Sequence, residues 1–462
     1  MERVDVAIVG GGPAGASAAH AAAAGGAEAL VVEKGVPRAD RDRPGPDSTD
    51  AAGILDYWVD LMGIHPDEFD DGVVQRELTR AEFRGPEASA TLTSTGIESS
   101  YDAFGYTFHR ARFDDWLRDR AEDAGAEYRV GTAVRGVETD RSAAPGDDDP
   151  RHVVELAAGE PVGADFVVLA DGPQRTVTNR VLDEYLPADA PASERLASRT
   201  ANHIAYQEYR RVPEAVFEDV NDAIVFWWGV MPGETAYPWI FPNEDRVCRI
   251  GLTMPIGLDI DDFDRDAYAL LDATDESIPR GSEYVRRLLE WQYGDEYDVE
   301  TDFPIVEDAG KRDGTETYPI SSTRPVDSPV GVGIAVAGGA MGTTSAFHEG
   351  GDHVAVRTGA IAGALAAEGD MASYNRRWKE AIGDELVRNA TMADMVADYD
   401  PADWDRIIGA ADAMLAAEAG DGLLAQPYRS GLESAKLLLG YKRHKRRVTR
   451  DYVGIEEREY VY

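Results

Sequence analysis

The sequence predicts an α/β fold: a Rossmann-like dinucleotide-binding domain, an antiparallel-sheet domain and a helical C-terminal region. Three observations carry that prediction. The first is VDVAIVGGGPAGASAAHAAAAGGAEALVVEK at residues 4–34, the second a set of aromatic-rich strand patterns between about 200 and 320, and the third alternating helical patterns from 371 to 438. At 462 residues the chain is also longer than one core usually organises, so two closely packed domains are expected.

The N-terminal stretch holds its parts in the order a dinucleotide site needs. Residues 4–9 read as a buried strand, Gly10, Gly12 and Gly15 form GxGxxG around Pro13 and Ala14, an Ala-rich helix runs to about Ala24, and residues 30–32 give a second strand ending at Glu33 and Lys34. The glycines allow a tight turn and close approach of a pyrophosphate, and the helix N-terminus offers free N–H groups to it. Glu33, 23 positions after Gly10, is placed to accept hydrogen bonds from ribose hydroxyls.

Further on, residues 108–139 predict an amphipathic helix with Phe113, Trp116, Leu117 and Ala121 on one face, then a strand from Tyr128 that returns to the same sheet. The polar run 142–151 reads as a turn between antiparallel strands, and 164–172 as a buried strand ending in Asp171 and Gly172. DAIVFWWGVM, YPWIFP and RVCRIGL mark the aromatic-rich sheet. AVAGGAMGTTSAFHEGG, residues 335–351, reads as a strand, a glycine-rich loop and a helix start.

The formal charge of −40 arises from 86 acidic and 46 basic side chains, of which only six are Lys. Acids spread along the whole chain suggest adaptation to high salt, where a Debye length of about 3 Å screens their repulsion. The exception is a basic segment at 436–450, which reads either as an ion-paired helix on an acidic body or as a peripheral membrane contact. The single cysteine, Cys248, excludes an internal disulfide and thiolate metal clusters, and no metal site is expected. No signal peptide and no run of 18 apolar residues is evident, so a cytoplasmic protein is expected, at most peripheral to the inner face of the membrane. The absence of HExxH, GxSxG and P-loop motifs argues against metallohydrolase, serine hydrolase and NTPase chemistry.

With these motifs in order the chain resembles the FAD-dependent oxidoreductase superfamily, and within it the geranylgeranyl reductase and FixC-like group, in a haloarchaeal form. The resemblance implies a fold of the glutathione reductase or p-hydroxybenzoate hydroxylase type, with FAD as cofactor. It implies that Gly10 to Gly15 take the FAD pyrophosphate, that Glu33 with Lys34 takes the adenosine ribose, and that Arg110, before Phe113 and Asp114, contacts the phosphate side. Asp171 and Gly172 match the DG motif, and Gly338, Gly339, Gly350 and Gly351 fall in the closing cofactor motif. Tyr237, Trp239, Phe241 and Pro242 match YxWxFP, which in prenyl reductases lines the substrate cavity; Trp227 and Trp228 join them as substrate residues, with plain core as the alternative. Tyr374 and Trp378 match a YxxxW helix that packs domains together. The implied division is a discontinuous FAD domain at 1–75, 103–182 and 325–370, a substrate domain at 76–102 and 183–324, and the helical region with its basic tail at 371–462.

Departures from the pattern are equally specific. The stretch 43–53 lacks the cysteine common in prenyl reductases, Gly339 stands where an Asp normally holds the ribityl hydroxyls, Ala346 replaces a proline, and Glu349 occupies a usual glycine position. Glu349 is a candidate for the space or role of the missing Asp. His348 and Glu349 lie beside the helix start aimed at the flavin pyrimidine end and are candidate proton donors. The expected activity is reduction of double bonds in an isoprenoid lipid or quinone side chain, on a hydrophobic small-molecule substrate and with no nucleic acid partner. A cluster-free FixC-like electron-transfer dehydrogenase and a flavin-free scaffold that keeps the fold are the alternatives.

Overall fold

The computed structural model describes residues 1–37, 41, 52–310, 312–321, 324–418 and 427–462. Most of the cysteine-less stretch 43–53 lies outside the described residues.

The first sheet runs in the order Glu127–Arg129, Ala29–Val32, Glu2–Val9, Val162–Leu169, His152–Leu156, Val134–Thr139, and Ile334–Val336 also pairs with Val162–Leu169. Glu2–Val9 lies parallel to both Ala29–Val32 and Val162–Leu169. All eight residues of Val162–Leu169 are buried, which is why this strand reads as an unbroken apolar run rather than an alternating one. The antiparallel pair Val134–Thr139 and His152–Leu156 flanks the polar turn expected at 142–151.

Helix Pro13–Ala24 packs on this sheet against helix Asp352–Ala367. Small residues let the two backbones nearly touch: a Cβ at Gly359 would lie 1.9 Å from the carbonyl oxygen of Ala14, and one at Gly363 2.0 Å from that of Ala18. Tyr374, fully buried, donates its hydroxyl to the Val336 carbonyl at 2.8 Å and so fixes helix Tyr374–Val396 to the same core. Trp378 is buried beside it.

A second sheet runs in the order Thr315–Ser321, Asn202–Arg211, Val247–Pro255, Tyr237–Pro242, Ala223–Trp227, Arg80–Arg84, Ser89–Leu92. It is antiparallel except where Ala223–Trp227 meets Arg80–Arg84. A small third sheet of Gly53–Leu55, Gly105–Phe108 and Val74–Leu78 is tied to the second. Thr107 donates its hydroxyl to the Pro242 carbonyl at 2.7 Å, and the buried Arg249 donates to the Phe108 carbonyl at 2.8 Å.

Residues 183–201, grouped with the substrate region on sequence, instead bury Tyr185, Leu186, Ala192, Leu196 and Ala201 in the core of the first sheet. The two short helices there, Ala192–Arg195 and Ser198–Ala201, carry no strand pattern that would draw them into the second sheet. The chain's end also returns to that core through Ile455 and Tyr460. The basic segment lies on helix Pro427–Asp451, where His444 pairs with Asp394 at 2.7 Å and Arg447 pairs with the same carboxylate. Among the described residues no helix is long and apolar enough to cross a membrane.

Candidate flavin and substrate site

Strand Glu2–Val9 ends at Gly10, whose φ of +99° turns the chain into the loop. A Cβ at Gly15 would lie 1.8 Å from the Gly10 carbonyl oxygen, so only glycine allows the helix to start this close to the strand. At Gly12, by contrast, a Cβ would meet nothing within 4 Å, and this N-cap residue supplies no side-chain cap. The helix therefore opens on free space with its first N–H groups uncapped by a side chain, as an anion-binding terminus requires. The Glu33 carboxylate stands against this loop, accepting from the Gly11 N–H at 2.7 Å and the Gly35 N–H at 2.5 Å. Two such donors leave lone pairs on both oxygens for ribose hydroxyls.

Two more helix starts meet nearby. Arg110, at the head of helix Arg110–Asp123, pairs with Asp114 at 2.7 Å and reaches Asp352, the first residue of helix Asp352–Ala367, at 3.1 Å. Asp171 caps a different helix: its carboxylate accepts from the Val177 and Thr178 N–H groups at 2.7 and 3.2 Å and from the Thr178 hydroxyl at 2.5 Å. Of the DG motif, then, Gly172, with φ +73° and open space at its Cβ position, leaves room for a ligand, while the Asp171 side chain is spent on local structure.

Gly339 is the second residue of a one-turn helix, Gly338–Met341, and a Cβ there would sit 3.2 Å from Pro173 Cδ. Glu349 does not fill the place of the missing Asp. Its carboxylate turns to the second sheet and pairs with His203 Nδ1 at 2.9 Å. The reason is local: Glu349 has φ +58°, and the strained turn throws its side chain away from the glycine-rich loop.

The loop 345–351 is seated on the second sheet by three contacts. Phe347 stacks on Trp228 with ring centroids 5.6 Å apart, Tyr237 donates its hydroxyl to the His348 carbonyl at 2.7 Å, and Glu349 holds His203. Beneath it Trp228, Tyr237, Trp239 and Phe241 share one sheet face with Phe83 and Phe226, and Trp404, from helix Pro401–Glu418, packs onto it. The indole N–H groups of Trp228 and Trp239 and the hydroxyl of Thr253, from the neighbouring strand, are buried there without hydrogen-bond partners. Trp227 does not join them. It lies in the opposite cluster with Val225 and helix Gly281–Tyr293, its ring under Arg84 at 5.2 Å, because side chains alternate along a strand and two successive tryptophans cannot face the same way.

His348 accepts from the Gly350 N–H at 3.2 Å through Nδ1 and lies by Trp58, with centroids 5.6 Å apart. Burial, reinforced by His353, pushes its pKa down to about 4, so the ring is neutral near pH 7. His353 stacks flat on Trp58 at 4.0 Å and meets Glu385 at 2.5 Å. Burial would raise the Glu385 pKa, but His353 and Arg357 outweigh it and bring it down to about 2.

Sequence reading missed His203, Arg175, Trp58 and Glu385. Arg175, 1% exposed, donates to the Ala340 and Pro173 carbonyls and to Asn202, and so bolts the DG turn to the one-turn helix and to strand Asn202–Arg211. Burial lowers its pKa to about 10. None of the four lies in a motif; only the fold brings them together.

Comparison with known proteins agrees with this geometry. Residues 3–188 match the FAD binding domain family. A digeranylgeranylglycerophospholipid reductase of Methanothermobacter thermautotrophicus is 26% identical over 420 residues, which cover 88% of this chain and 90% of that protein. Protein FixC of Rhizobium meliloti is 29% identical over 287 residues, 59% of each chain. The crystal structure of a geranylgeranyl bacteriochlorophyll reductase-like protein from Thermoplasma acidophilum superimposes with a TM-score of 0.68 at 20% identity, covering 98% of this chain and all of that one, which shows the shared fold.

Glycine loop, ribose acid and family match together define a flavoprotein with a Rossmann-type FAD-binding domain, and FAD is its cofactor. The residues present fit the pyrophosphate and ribose end of that cofactor, through the uncapped helix start and open space at Gly12 and the carboxylate of Glu33. Within this class the chain is similar over most of its length to reductases of geranylgeranyl lipids, and over about three fifths of it to FixC.

Proposed function

We propose that this protein reduces carbon–carbon double bonds in the isoprenoid chain of a membrane lipid precursor or a related quinone. The observation that carries the reading is the aromatic face of the second sheet, on which Trp228, Tyr237, Trp239 and Phe241 lie together beneath the loop that leads into helix Asp352–Ala367. Flat aromatic surface suits a long, branched, apolar chain. Trp404 stacks on Trp228 at 5.4 Å and, with Phe347, covers this face; in this reading a prenyl chain takes the place of these two rings.

Reduced FAD held here would supply one hydride, carrying both electrons of the reduction. Gly10 to Gly15, Glu33 with Lys34, Arg110, Gly172, Gly338, Gly339, Gly350 and Gly351 surround the cofactor in this reading. Glu349, buried between loop and sheet, belongs to the proton-handling group. His348 is a weaker candidate, because a ring held neutral at pH 7 keeps its remaining N–H and offers no acidic proton. The near relation to a lipid reductase over most of both chains supports the substrate class. The large excess of acidic side chains supports a haloarchaeal, high-salt setting.

The test is anaerobic turnover of a geranylgeranylated glycerophospholipid by protein purified in molar salt and reduced chemically, with saturated products read by mass spectrometry. Saturation of the chain is the expected result. Electrons that pass to a quinone with the lipid left untouched would overturn it in favour of a FixC-like dehydrogenase. Unfolding on dilution of the salt is expected as well, and equal melting temperatures in dilute buffer and molar salt would remove the high-salt reading.

A further inference from the structure

Among the described residues His203 is the one histidine on the second sheet's inner face. Side chains two apart on a strand share a face, and Ala205 belongs to the aromatic cluster, so His203 looks the same way. Its cross-strand neighbour Ile320 packs on that cluster too. Its partner Glu349 is held against two costs. A non-glycine residue at φ +58° is strained, and a carboxylate with only 3% of its side chain exposed is expensive to bury unless paired. Glycine, at home in such a turn, would incur neither cost but could not hold the imidazole.

We propose that His203 is the proton donor of the reductase and that Glu349 is its positioning residue. Glu349 lies within ion-pair distance of Nδ1, 2.9 Å away, so in the imidazolium the Nε2 proton is the one left for transfer, the same division of labour a carboxylate and histidine share in acid–base catalysis generally. The role rests on the reductase reading above. In the balanced step the reduced flavin gives a hydride to one alkene carbon, and the electron pair of the broken π bond takes the Nε2 proton at the other. Two C–H bonds form, the alkene is reduced, the flavin is oxidised, and His203 is left as neutral imidazole. A proton from solvent restores it, arriving past Glu234, whose side chain is exposed.

The surroundings are consistent with a charged His203. Burial alone would lower its pKa, but Glu349, joined by Glu234, more than compensates and sets it above the usual value. The other groups facing this pair are the Tyr237 phenol, beside Glu349, and Asp394 and Asp398, beyond Glu234.

Two readouts test the assignment. Titration of the His203 imidazole by NMR in the FAD-loaded protein should give a pKa above the ordinary value of about 6.5 in wild type and a lower one in Glu349→Gln. A His203 resonance that Glu349→Gln leaves unmoved overturns the pairing. In single-turnover reduction of a geranylgeranylated lipid, His203→Gln should slow the alkene step about 100-fold. FAD content and lipid affinity should stay within about twofold, and the falling alkaline limb of the pH–rate profile should disappear. Alkene reduction at an unchanged rate and pH profile overturns the donor role while leaving the reductase standing. A wild-type protein that reduces no prenyl chain overturns both. If His203→Gln loses its flavin, Glu349→Gln decides by the same rate and pH profile, its alkaline limb expected to move to lower pH.

Discussion

The two large sheets bury their faces by opposite means. Around the first, the residues are mostly Val, Ile, Leu and Ala, with a few aromatics such as Phe166 and Trp378, and the helices approach until only glycine fits at Gly359 and Gly363. Around the second, one face is closed by aromatic rings that leave two indole N–H groups and a threonine hydroxyl buried and unpaired. Unpaired buried donors each cost on the order of 1–3 kcal/mol, and the first sheet carries some too, among them Ser17 Oγ and His152 Nε2, so what sets the second sheet apart is its aromatic composition. The first sheet packs closely beneath the glycine loop, whereas the inner face of the second is closed by large rings, the face assigned to substrate in the proposed function.

The sharpest way to break that contrast lies within the second sheet. Trp227→Ala removes a ring from the closed cluster under helix Gly281–Tyr293 and should cost about 3–5 kcal/mol of stability, measured by denaturant unfolding, with lipid affinity of the remaining folded protein unchanged. A loss of lipid affinity at intact stability would return Trp227 to the substrate face. Next in size is Gly359→Ala, which sets a methyl against the Ala14 carbonyl and should destabilise the first sheet's helix pair by about 1–3 kcal/mol or more. Because Ala14 belongs to the phosphate loop, FAD content should fall with it; full FAD content would show that the helices separate without disturbing the loop.

Trp239→Ala should lower prenyl turnover about tenfold or more while FAD content holds. A parallel fall in both would make Trp239 ordinary core. A smaller effect is expected from Gly339→Asp. Since Glu349 is engaged by His203 and the nearest obstacle to a Cβ is Pro173 at 3.2 Å, the new carboxylate needs no second substitution. It should tighten FAD by up to about tenfold, less than a charge-assisted hydrogen bond can contribute, because Pro173 must give way. Weaker FAD binding in this variant would mean that the Pro173 contact outweighs the added acceptor.

The smallest effect is a pH dependence of the first sheet. His152, fully buried, has its pKa pushed down to about 3, by burial first and Arg151 second. A histidine depressed in the folded state stays neutral while the unfolded chain takes up a proton, so its contribution is intact above about pH 6.5 and is lost as pH falls toward 3. Between pH 6 and 5 that amounts to about 1 kcal/mol, and His152→Gln should flatten this part of the stability curve. An unchanged slope would place the acid sensitivity elsewhere.

How much of this was legible beforehand differs between the two sheets. The glycine loop, Glu33, the helix from Arg110 and the strand ending at Leu169 stand out because each depends on local spacing, and the backbone follows that spacing with little help from distant residues. The YPWIFP strand was equally plain, but whether its rings faced a substrate or a core was not, and the Trp227–Trp228 pair was read as one surface although a strand must send the two to opposite sides. Asp171 was read from its motif and turned out to cap a helix six residues on.

The sequence by itself therefore determined the nucleotide-binding half, the order of the remaining elements and the chemistry of the cofactor, since these rest on glycine positions and on apolar periodicity that short-range sterics enforce. The tertiary structure alone decided which side chains meet. His203 and Glu349 stand 146 positions apart, and the pair exists only because strand Asn202–Arg211 and the loop before helix Asp352–Ala367 close on each other. A contact across that distance leaves no local pattern: the attraction of imidazole and carboxylate must offset the cost of burying both, and the place where it can do so forms only when the sheets have packed.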